Sequence, residues 1–205
     1  MRKSSAFLGV FMVAAMFLGG CAAGGATSEG MTVKAADIKT APSPAVAKAV
    51  GVGVVTGGEP TNPLLLSQID NPAFKHALVR SLYKAGLLAE GGNPKYVVAV
   101  ELIALKQPIF GWDMKVTSRI RYTITDAVTN AVVLNEEIIA PYTATTSDSL
   151  IGVQRLRLAN EGSARASIAT LIEKLNAAGN RTGKPALPPS SPPPSPILMT
   201  ATHTL

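Results

Sequence analysis

The feature that most constrains the fold of this chain is an alternation of side chains between Met114 and Thr125. The even-numbered positions are mostly apolar and the odd-numbered positions are polar. In order, the even positions are Met114, Val116, Ser118, Ile120, Tyr122 and Ile124, and the odd positions are Lys115, Thr117, Arg119, Arg121, Thr123 and Thr125. Successive side chains of a strand point to opposite faces of a sheet, so one face is predicted to lie in a core and the other in water.

Three more strands and two helices are predicted around this one. Segments 50–55, 96–105 and 131–139 are rich in apolar and β-branched residues, and apolar residues recur at helical spacing over 72–85 and 153–176. The predicted fold is α+β in the order β-α-β-β-β-α, a four-stranded, mostly antiparallel sheet with two helices packed on one face. The second strand is apolar on both faces except at Glu101, which predicts a central strand. Glu101 is expected to be exposed or paired with an arginine of a neighbouring strand.

Local signals predict how the helices begin and pack. Asn71 before Pro72 predicts the N-cap of the first helix, and Gly86 predicts its C-cap. In the second helix, Glu161 and Arg165 are spaced to form a surface ion pair. Gly162 between them weakens the helix by about 1 kcal/mol relative to alanine and indicates a close approach to the sheet or a bend.

The chain divides into four segments by composition. Residues 1–20 have the order of an export signal, with Arg2 and Lys3 before an apolar run and small residues at its end. Residues 21–49 are predicted to be a flexible tether with one short ordered piece near Met31 to Ile38, and residues 50–178 are predicted to form the globular domain. Residues 179–205 are rich in proline and predict a disordered tail, serving as a spacer or as a ligand for an aromatic groove.

The end of the apolar run holds the only cysteine of the chain, Cys21. The 13 residues from Ala6 to Leu18 are fewer than the ~20 that a membrane-spanning helix needs, and an ordinary cleaved signal is the other alternative. The segment Leu18-Gly19-Gly20-Cys21 resembles the box of bacterial lipoprotein signals. That resemblance implies cleavage before Cys21 and acylation of Cys21 as a permanent membrane anchor. By the sorting rule of enteric bacteria, Ala22 after the cysteine implies the outer membrane. The domain is expected to face the periplasm.

The charge balance excludes a nucleic-acid partner. The chain has 19 basic and 13 acidic side chains, and loss of Arg2 and Lys3 with the signal leaves 17 against 13, or about +4. This is far from the clustered basicity of nucleic-acid-binding domains. A weak positive field favours anionic neighbours such as lipopolysaccharide phosphates.

Six residues are the candidates for an interaction site. Trp112 is the only tryptophan and lies in a loop beside Phe110. The basic row of the alternating strand and two arginines of the last helix are suited to phosphate oxygens, or else form a solvated face. The candidates are Trp112, Lys115, Arg119, Arg121, Arg155 and Arg157.

No catalytic, cofactor-binding or metal-binding constellation is predicted, so the protein is not expected to be an enzyme. His76 has no histidine or cysteine partner within the domain and is predicted to lie on the surface. The segment from Gly51 to Thr56 lacks the third glycine of a dinucleotide-binding loop, so bulge or close-packing glycines are expected. Asp113 and Asp148 could still lie near a serine or threonine in space, and only the fold can show whether they do.

Three further segments carry a family resemblance. Residues 56–63, 111–118 and 155–162 read TGGEPTNP, GWDMKVTS and RLRLANEG, and they resemble a proteobacterial family of uncharacterised envelope lipoproteins. Some members are named UDP-N-acetylglucosamine acyltransferase, although acyltransferases of that name are hexapeptide-repeat proteins and this chain has no such repeat. The order of elements is similar to the lipopolysaccharide-assembly lipoprotein LptE. Because no catalytic constellation is predicted, the expected function is a non-catalytic envelope interaction or assembly factor. The basic row leaves a lipopolysaccharide- or lipid-binding accessory module as the alternative.

Overall fold

The computed structural model describes residues 24–61 and 67–182 of the chain. The expected signal peptide, Cys21 and the tail from residue 183 onward lie outside these residues. The elements, in order, are α1 (Ser28–Met31), a 3-10 turn (Ala35–Asp37), β1 (Val50–Thr56), α2 (Asn71–Lys84), β2 (Tyr96–Lys106), β3 (Met114–Asp126), β4 (Val132–Ala144) and α3 (Gly152–Thr182).

The four strands form one sheet in the order β1-β2-β3-β4. β1 and β2 are parallel, whereas β2–β3 and β3–β4 are antiparallel. The predicted α+β fold with a mostly antiparallel sheet is confirmed, and β2 is an internal strand as its apolar composition predicts. The register of β1 shifts between Val52 and Val55, where the predicted bulge glycine Gly53 lies.

The core lies between the sheet and the two long helices. The even-numbered side chains of β3 point into it, and Val116, Ile120 and Tyr122 are fully buried. The helices contribute fully buried apolar side chains to the cluster that holds Ile120 and Tyr122, among them Phe74, Leu78 and Leu82 of α2 and Ile168 and Leu171 of α3. Val116 belongs to a smaller cluster with Leu156 and Ala159 of α3. Both helices therefore cover one face of the sheet.

Two serines of α3 bind polar groups of the sheet inside this core. The hydroxyl of Ser163 forms hydrogen bonds with the hydroxyl of Ser118, at 2.8 Å, and with the carbonyl of Ala140, at 2.6 Å. The hydroxyl of Ser167 lies 2.9 Å from that of Tyr122. Burial raises the pKa of Tyr122, so this phenol stays neutral. The small serines let the helix approach the strands closely, and the hydrogen bonds fix its position along them.

The caps of α2 differ in part from the sequence prediction. The N-cap is Asp70 rather than Asn71, because the carboxylate of Asp70 accepts a hydrogen bond from the backbone N–H of Ala73 at 2.6 Å. Asn71 begins the helix, and its side chain accepts from the backbone N–H of Gly58 at 2.8 Å. The predicted C-cap is present, because Gly86 has a φ of +68° and Leu87 folds back into the core.

The segment predicted as a flexible tether is packed on the domain from residue 24 onward. Met31 and Val33 are fully buried, and Val46 is nearly so. The backbone N–H of Val33 donates to the hydroxyl of Ser81, and that of Ser43 donates to the side chain of Asn176. The prediction of a flexible tether is wrong for residues 24–49, because a few well-spaced apolar residues complete the core. The short ordered piece expected near Met31 to Ile38 is present and includes the 3-10 turn Ala35–Asp37. At the other end, α3 continues through residues 179–182, which were assigned to the tail.

The predicted surface pair of Glu161 and Arg165 is also wrong. Glu161 is 95% buried, and its carboxylate accepts from the backbone N–H and the hydroxyl of Thr27 at 2.9 and 2.8 Å. Arg165 donates to the carbonyl of Gly30. Both side chains therefore hold the N-terminal segment instead of pairing with each other.

Gly162 marks a close approach, as predicted, rather than a bend. A Cβ atom at this position would overlap the ring of Tyr142 on β4. The guanidinium of Arg165 packs over the same ring, 5.7 Å from its centroid. The ring cannot withdraw without loss of this contact.

We expect Gly162→Ala to destabilise the domain by up to about 2 kcal/mol. Overpacking costs about 1 to 3 kcal/mol, and the better helix propensity of alanine returns about 1 kcal/mol. In a Tyr142→Ala background the same change should become neutral or stabilising. Urea unfolding measures both effects, with Gly152→Ala as the control because its nearest neighbours would lie 3.8 Å away. Equal effects of Gly162→Ala in the two backgrounds would contradict the overlap.

Glu161→Ala is expected to loosen residues 26–33 and to lower the free energy of unfolding by about 1 to 3 kcal/mol, because a buried group loses two hydrogen bonds. Hydrogen–deuterium exchange of these residues measures the loosening. The control is Glu173→Ala on the same helix, whose side chain is 53% exposed and 4.0 Å from Lys39. Unchanged exchange in the segment would show that the carboxylate does not hold it.

Candidate functional site

The face of the sheet opposite the helices is called here the open face, and it carries the odd-numbered residues of β3. No described helix packs on it. Lys115 and Arg119 are exposed, and Ile139, which lies opposite Arg119 on β4, is 59% exposed. The open face is therefore a solvent-accessible surface of both charged and apolar side chains.

Two arginines of the open face are held by two carboxylates. Arg119 donates to Glu137 on β4 through Nε and Nη2, at 2.9 and 2.7 Å. Arg121 bridges Glu101 on β2 at 2.7 Å and Glu137 at 3.3 Å. The predicted ion pair of Glu101 with an arginine of a neighbouring strand is confirmed. The four side chains form a ladder across three strands, in which positive and negative charges alternate.

The ladder changes the ionisation of its shared carboxylate. The hydrogen bonds from Arg119, with its charge and that of Arg121, hold the pKa of Glu137 below the ordinary value of 4.5. Glu137 therefore stays negative at neutral pH and neutralises part of the basic row. Exposed pairs of this kind contribute little to stability, and their value lies in holding a fixed pattern of charges.

The six candidate residues do not form one site. Lys115, Arg119 and Arg121 share the open face, as the alternation predicts, and Lys115 has no carboxylate partner among the described residues. Arg155 and Arg157 belong to α3, which packs on the other face of the sheet. Trp112 lies in the β2–β3 loop at one end of the strands.

The arginines of α3 have structural partners. Arg155 is 93% buried and donates to the carbonyl of Ser149 at 2.8 Å, which closes the loop before the helix. The Nε of Arg157 lies 3.8 Å from the carboxylate of Glu161. The two Nε atoms are buried without a hydrogen-bond partner among the described residues. These side chains therefore do not add to the basic row of β3.

Trp112 belongs to a set of exposed apolar side chains that sequence reasoning found only in part. We call the set the apolar tip, and its members are 83–88% exposed: Ile109, Phe110, Trp112 and Leu150. Ile151 is 51% exposed and Val153 is 49% exposed, and they extend the apolar tip into the first turn of α3. The signal in the sequence was the run of apolar residues between Pro108 and Asp113. Leu150 could not be assigned to the same place without the register of β3 and β4.

The residues considered for catalysis are not brought together. His76 is exposed on α2, as predicted. Asp148 accepts from the backbone N–H and hydroxyl of Thr145 at 2.8 and 3.1 Å and so orders a turn. Within residues 24–61 and 67–182, no three histidine, cysteine or acidic side chains are grouped to hold a metal ion.

Two clefts among the described residues differ in their titratable groups. A cleft of about 210 Å³ is lined by Gly57, Gly58 and β2, with Glu59 as its one carboxylate. A second cleft, of about 320 Å³, is lined by the charged side chains of Lys34, Asp37 and Arg165 beside Tyr142. No described helix is long and apolar enough to cross a membrane.

Comparison with known proteins finds likeness in fold. No protein-family model matches the sequence, and no curated protein does. A Xanthomonas campestris protein of the family of unknown function DUF330 has a TM-score of 0.51 at 14% identity, over 70% of this chain and 94% of that chain. A candidate lipoprotein from Caulobacter crescentus CB15 has a TM-score of 0.47 at 12% identity, over 74% and 100%. The PelC dodecamer from Paraburkholderia phytofirmans has a TM-score of 0.44 at 15% identity, over 67% and 94%. At 14% identity, the likeness to the Xanthomonas campestris protein shows the α+β fold alone.

We expect Arg119→Met to raise the pKa of Glu137 toward its ordinary value, because the largest cause of the lowering is removed. A lowered pKa in the folded state stabilises the protein above the unfolded-state pKa, and this contribution is lost as the pH falls through the folded value. The stability difference between the wild type and Glu137→Gln should therefore vanish in acid. Carboxyl-carbon NMR titration measures the pKa, with the exposed Arg80→Met as control. An unchanged titration in Arg119→Met would contradict the ladder.

Proposed function

We propose that this protein is an outer-membrane lipoprotein, anchored through acylated Cys21, whose domain faces the periplasm and binds another envelope protein as a non-catalytic interaction or assembly factor. The anchor is supported by the order of residues before Cys21 and by Ala22 after it. These positions lie outside the described residues, so the sequence alone supports this part of the proposal.

The observation that carries the proposed interaction is the open face with its charge ladder. The ladder presents the guanidinium groups of Arg119 and Arg121 and the carboxylates of Glu101 and Glu137 in fixed positions. The exposed side chain of Ile139 lies beside them. A surface with both signs of charge around an apolar group suits a protein partner of complementary pattern, because charge complementarity gives specificity.

The ladder also favours a protein over a phosphate group as the ligand. A phosphate that bound Arg119 or Arg121 would have to displace carboxylates at 2.7 Å and would be repelled by them. Lys115 and the shared direction of the three basic side chains support the second candidate, a lipopolysaccharide- or lipid-binding accessory module. Crosslinking from the open face distinguishes a protein partner from a lipopolysaccharide or lipid ligand.

A photoreactive amino acid at position 139 is expected to crosslink the lipidated protein to a discrete envelope protein in intact cells. The control is the same probe at position 75, which is exposed on α2, away from the open face. The double variant Arg119→Glu/Glu137→Arg preserves an ion pair but reverses its direction, so we expect it to abolish the crosslink while the domain stays folded. Mass spectrometry of the adduct identifies its class.

An adduct of lipopolysaccharide at position 139 would favour the lipid-binding alternative. Equal protein adducts at positions 139 and 75, or an adduct that survives the charge reversal, would overturn the open face as the binding surface. Circular dichroism of each variant checks that the fold is retained.

A further inference from the structure

The two loops of the apolar tip lie at the same end of the sheet. β3 begins at Met114, which pairs with Ala144, the last residue of β4. The β2–β3 loop that precedes Met114 and the β4–α3 loop that follows Ala144 are therefore neighbours. Gly152 at the start of α3 also lies beside Met114, because a Cβ there would be 3.8 Å from its Cε. The exposed side chains of both loops thus belong to one end of the molecule.

The N-terminal segment enters the domain from this same end. Thr27 binds Glu161, Lys39 lies 4.0 Å from Glu173, and Ser43 binds Asn176. The segment therefore runs alongside α3 in the direction of that helix, and its earliest residues lie nearest the start of α3. The start of α3 is the end that carries the apolar tip.

Hydrogen bonds join the first described residue to the tip. The carbonyl of Gly24 accepts from the hydroxyl of Ser67 at 3.3 Å. The carbonyl of Ser67 in turn accepts from the side chain of Gln107 at 2.7 Å. Gln107 is the first residue after β2 and begins the loop of Ile109, Phe110 and Trp112.

The short distance in sequence from Gly24 to Cys21 brings the tip close to the proposed anchor. Three residues span at most about 11 Å when fully extended. The 29-residue tether expected from the sequence is thus reduced to a very short connection. A domain held this closely presents to the membrane the end at which its chain enters.

From these positions we infer that the apolar tip inserts into the interfacial region of the membrane that holds the acyl chains of Cys21. The inference rests on the proposed acylation and adds an orientation for the domain. Exposed clusters of large apolar side chains mark interaction sites on soluble domains. Tryptophan favours the boundary between lipid head groups and acyl chains, because its ring is apolar and its N–H is polar. Phe110, Ile109 and Leu150 supply the apolar area that interfacial binding needs.

The test uses Trp112 as the reporter, since it is the only tryptophan of the chain. The full lipidated protein is purified from membranes and reconstituted into vesicles of phosphatidylethanolamine and phosphatidylglycerol that carry a quencher at a shallow or a deep acyl position. We expect the emission of Trp112 to shift to shorter wavelength relative to the detergent-free Cys21→Ser protein. We also expect the shallow quencher to act more strongly than the deep one.

Two variants make the test specific to the tip. Trp112→Phe/Val128→Trp moves the reporter to the β3–β4 turn at the opposite end of the sheet, where residue 128 is 87% exposed, and should be neither shifted nor quenched. Ile109→Ser/Phe110→Ser keeps Trp112 and should reduce its quenching, because apolar area that anchors the loop is lost.

Mass spectrometry of the same samples separates the outcomes. An acylated protein in which Trp112 is not quenched, or in which both reporter positions are quenched equally, overturns the tip insertion and leaves the proposed anchor standing. A protein with unmodified Cys21 overturns the anchor and the insertion together. Quenching confined to Trp112 in the acylated protein supports the inference.

Discussion

The contact between α3 and the two last strands determines the other features of this structure. Small side chains at the contact allow it: a glycine at 162 accommodates the ring of Tyr142, and the hydroxyls of Ser163 and Ser167 bind groups of the strands. This packing decides which face of the sheet is buried, and so which face is left open. It also places Glu161 and Arg165 where they bind Thr27 and Gly30 of the N-terminal segment. The fold, the open face and the entry point of the chain therefore follow from one interface.

Local patterns in the sequence were sufficient to predict the sheet and its open face. The alternation of β3 needs only the two-residue period of a strand, and it assigns Arg119 and Arg121 to the wet face directly. For Glu101 the sequence left an exposed position or an ion pair open, and the side chain is both half exposed and paired with Arg121. The N-cap was predicted one residue too late, at Asn71 rather than Asp70, since both residue types cap helices equally well.

The features that were missed depend on contacts between residues distant in sequence. Glu161 binds Thr27, which is 134 residues away, whereas its spacing to Arg165 offered a local partner that the structure does not use. The N-terminal segment has only isolated apolar residues, such as Met31 and Val33, so no period reveals that it completes the core. The apolar tip joins two loops through the register of Met114 with Ala144. No pattern among neighbouring residues of the sequence predicts any of these contacts.

The open face and the apolar tip are compatible surfaces because they lie along the strands and at their end, respectively. β3 has 13 residues, so it is roughly 40 Å long at ~3.3 Å per residue. With the tip at the membrane, the strands lead away from it, and the charge ladder at Arg119 and Arg121 stands several residues beyond the head groups. At that height the ladder is accessible to a periplasmic protein and distant from the lipid phosphates. In the proposed arrangement, the short connection to Cys21 both holds the protein in the membrane and decides which surface faces the lipid and which faces a partner.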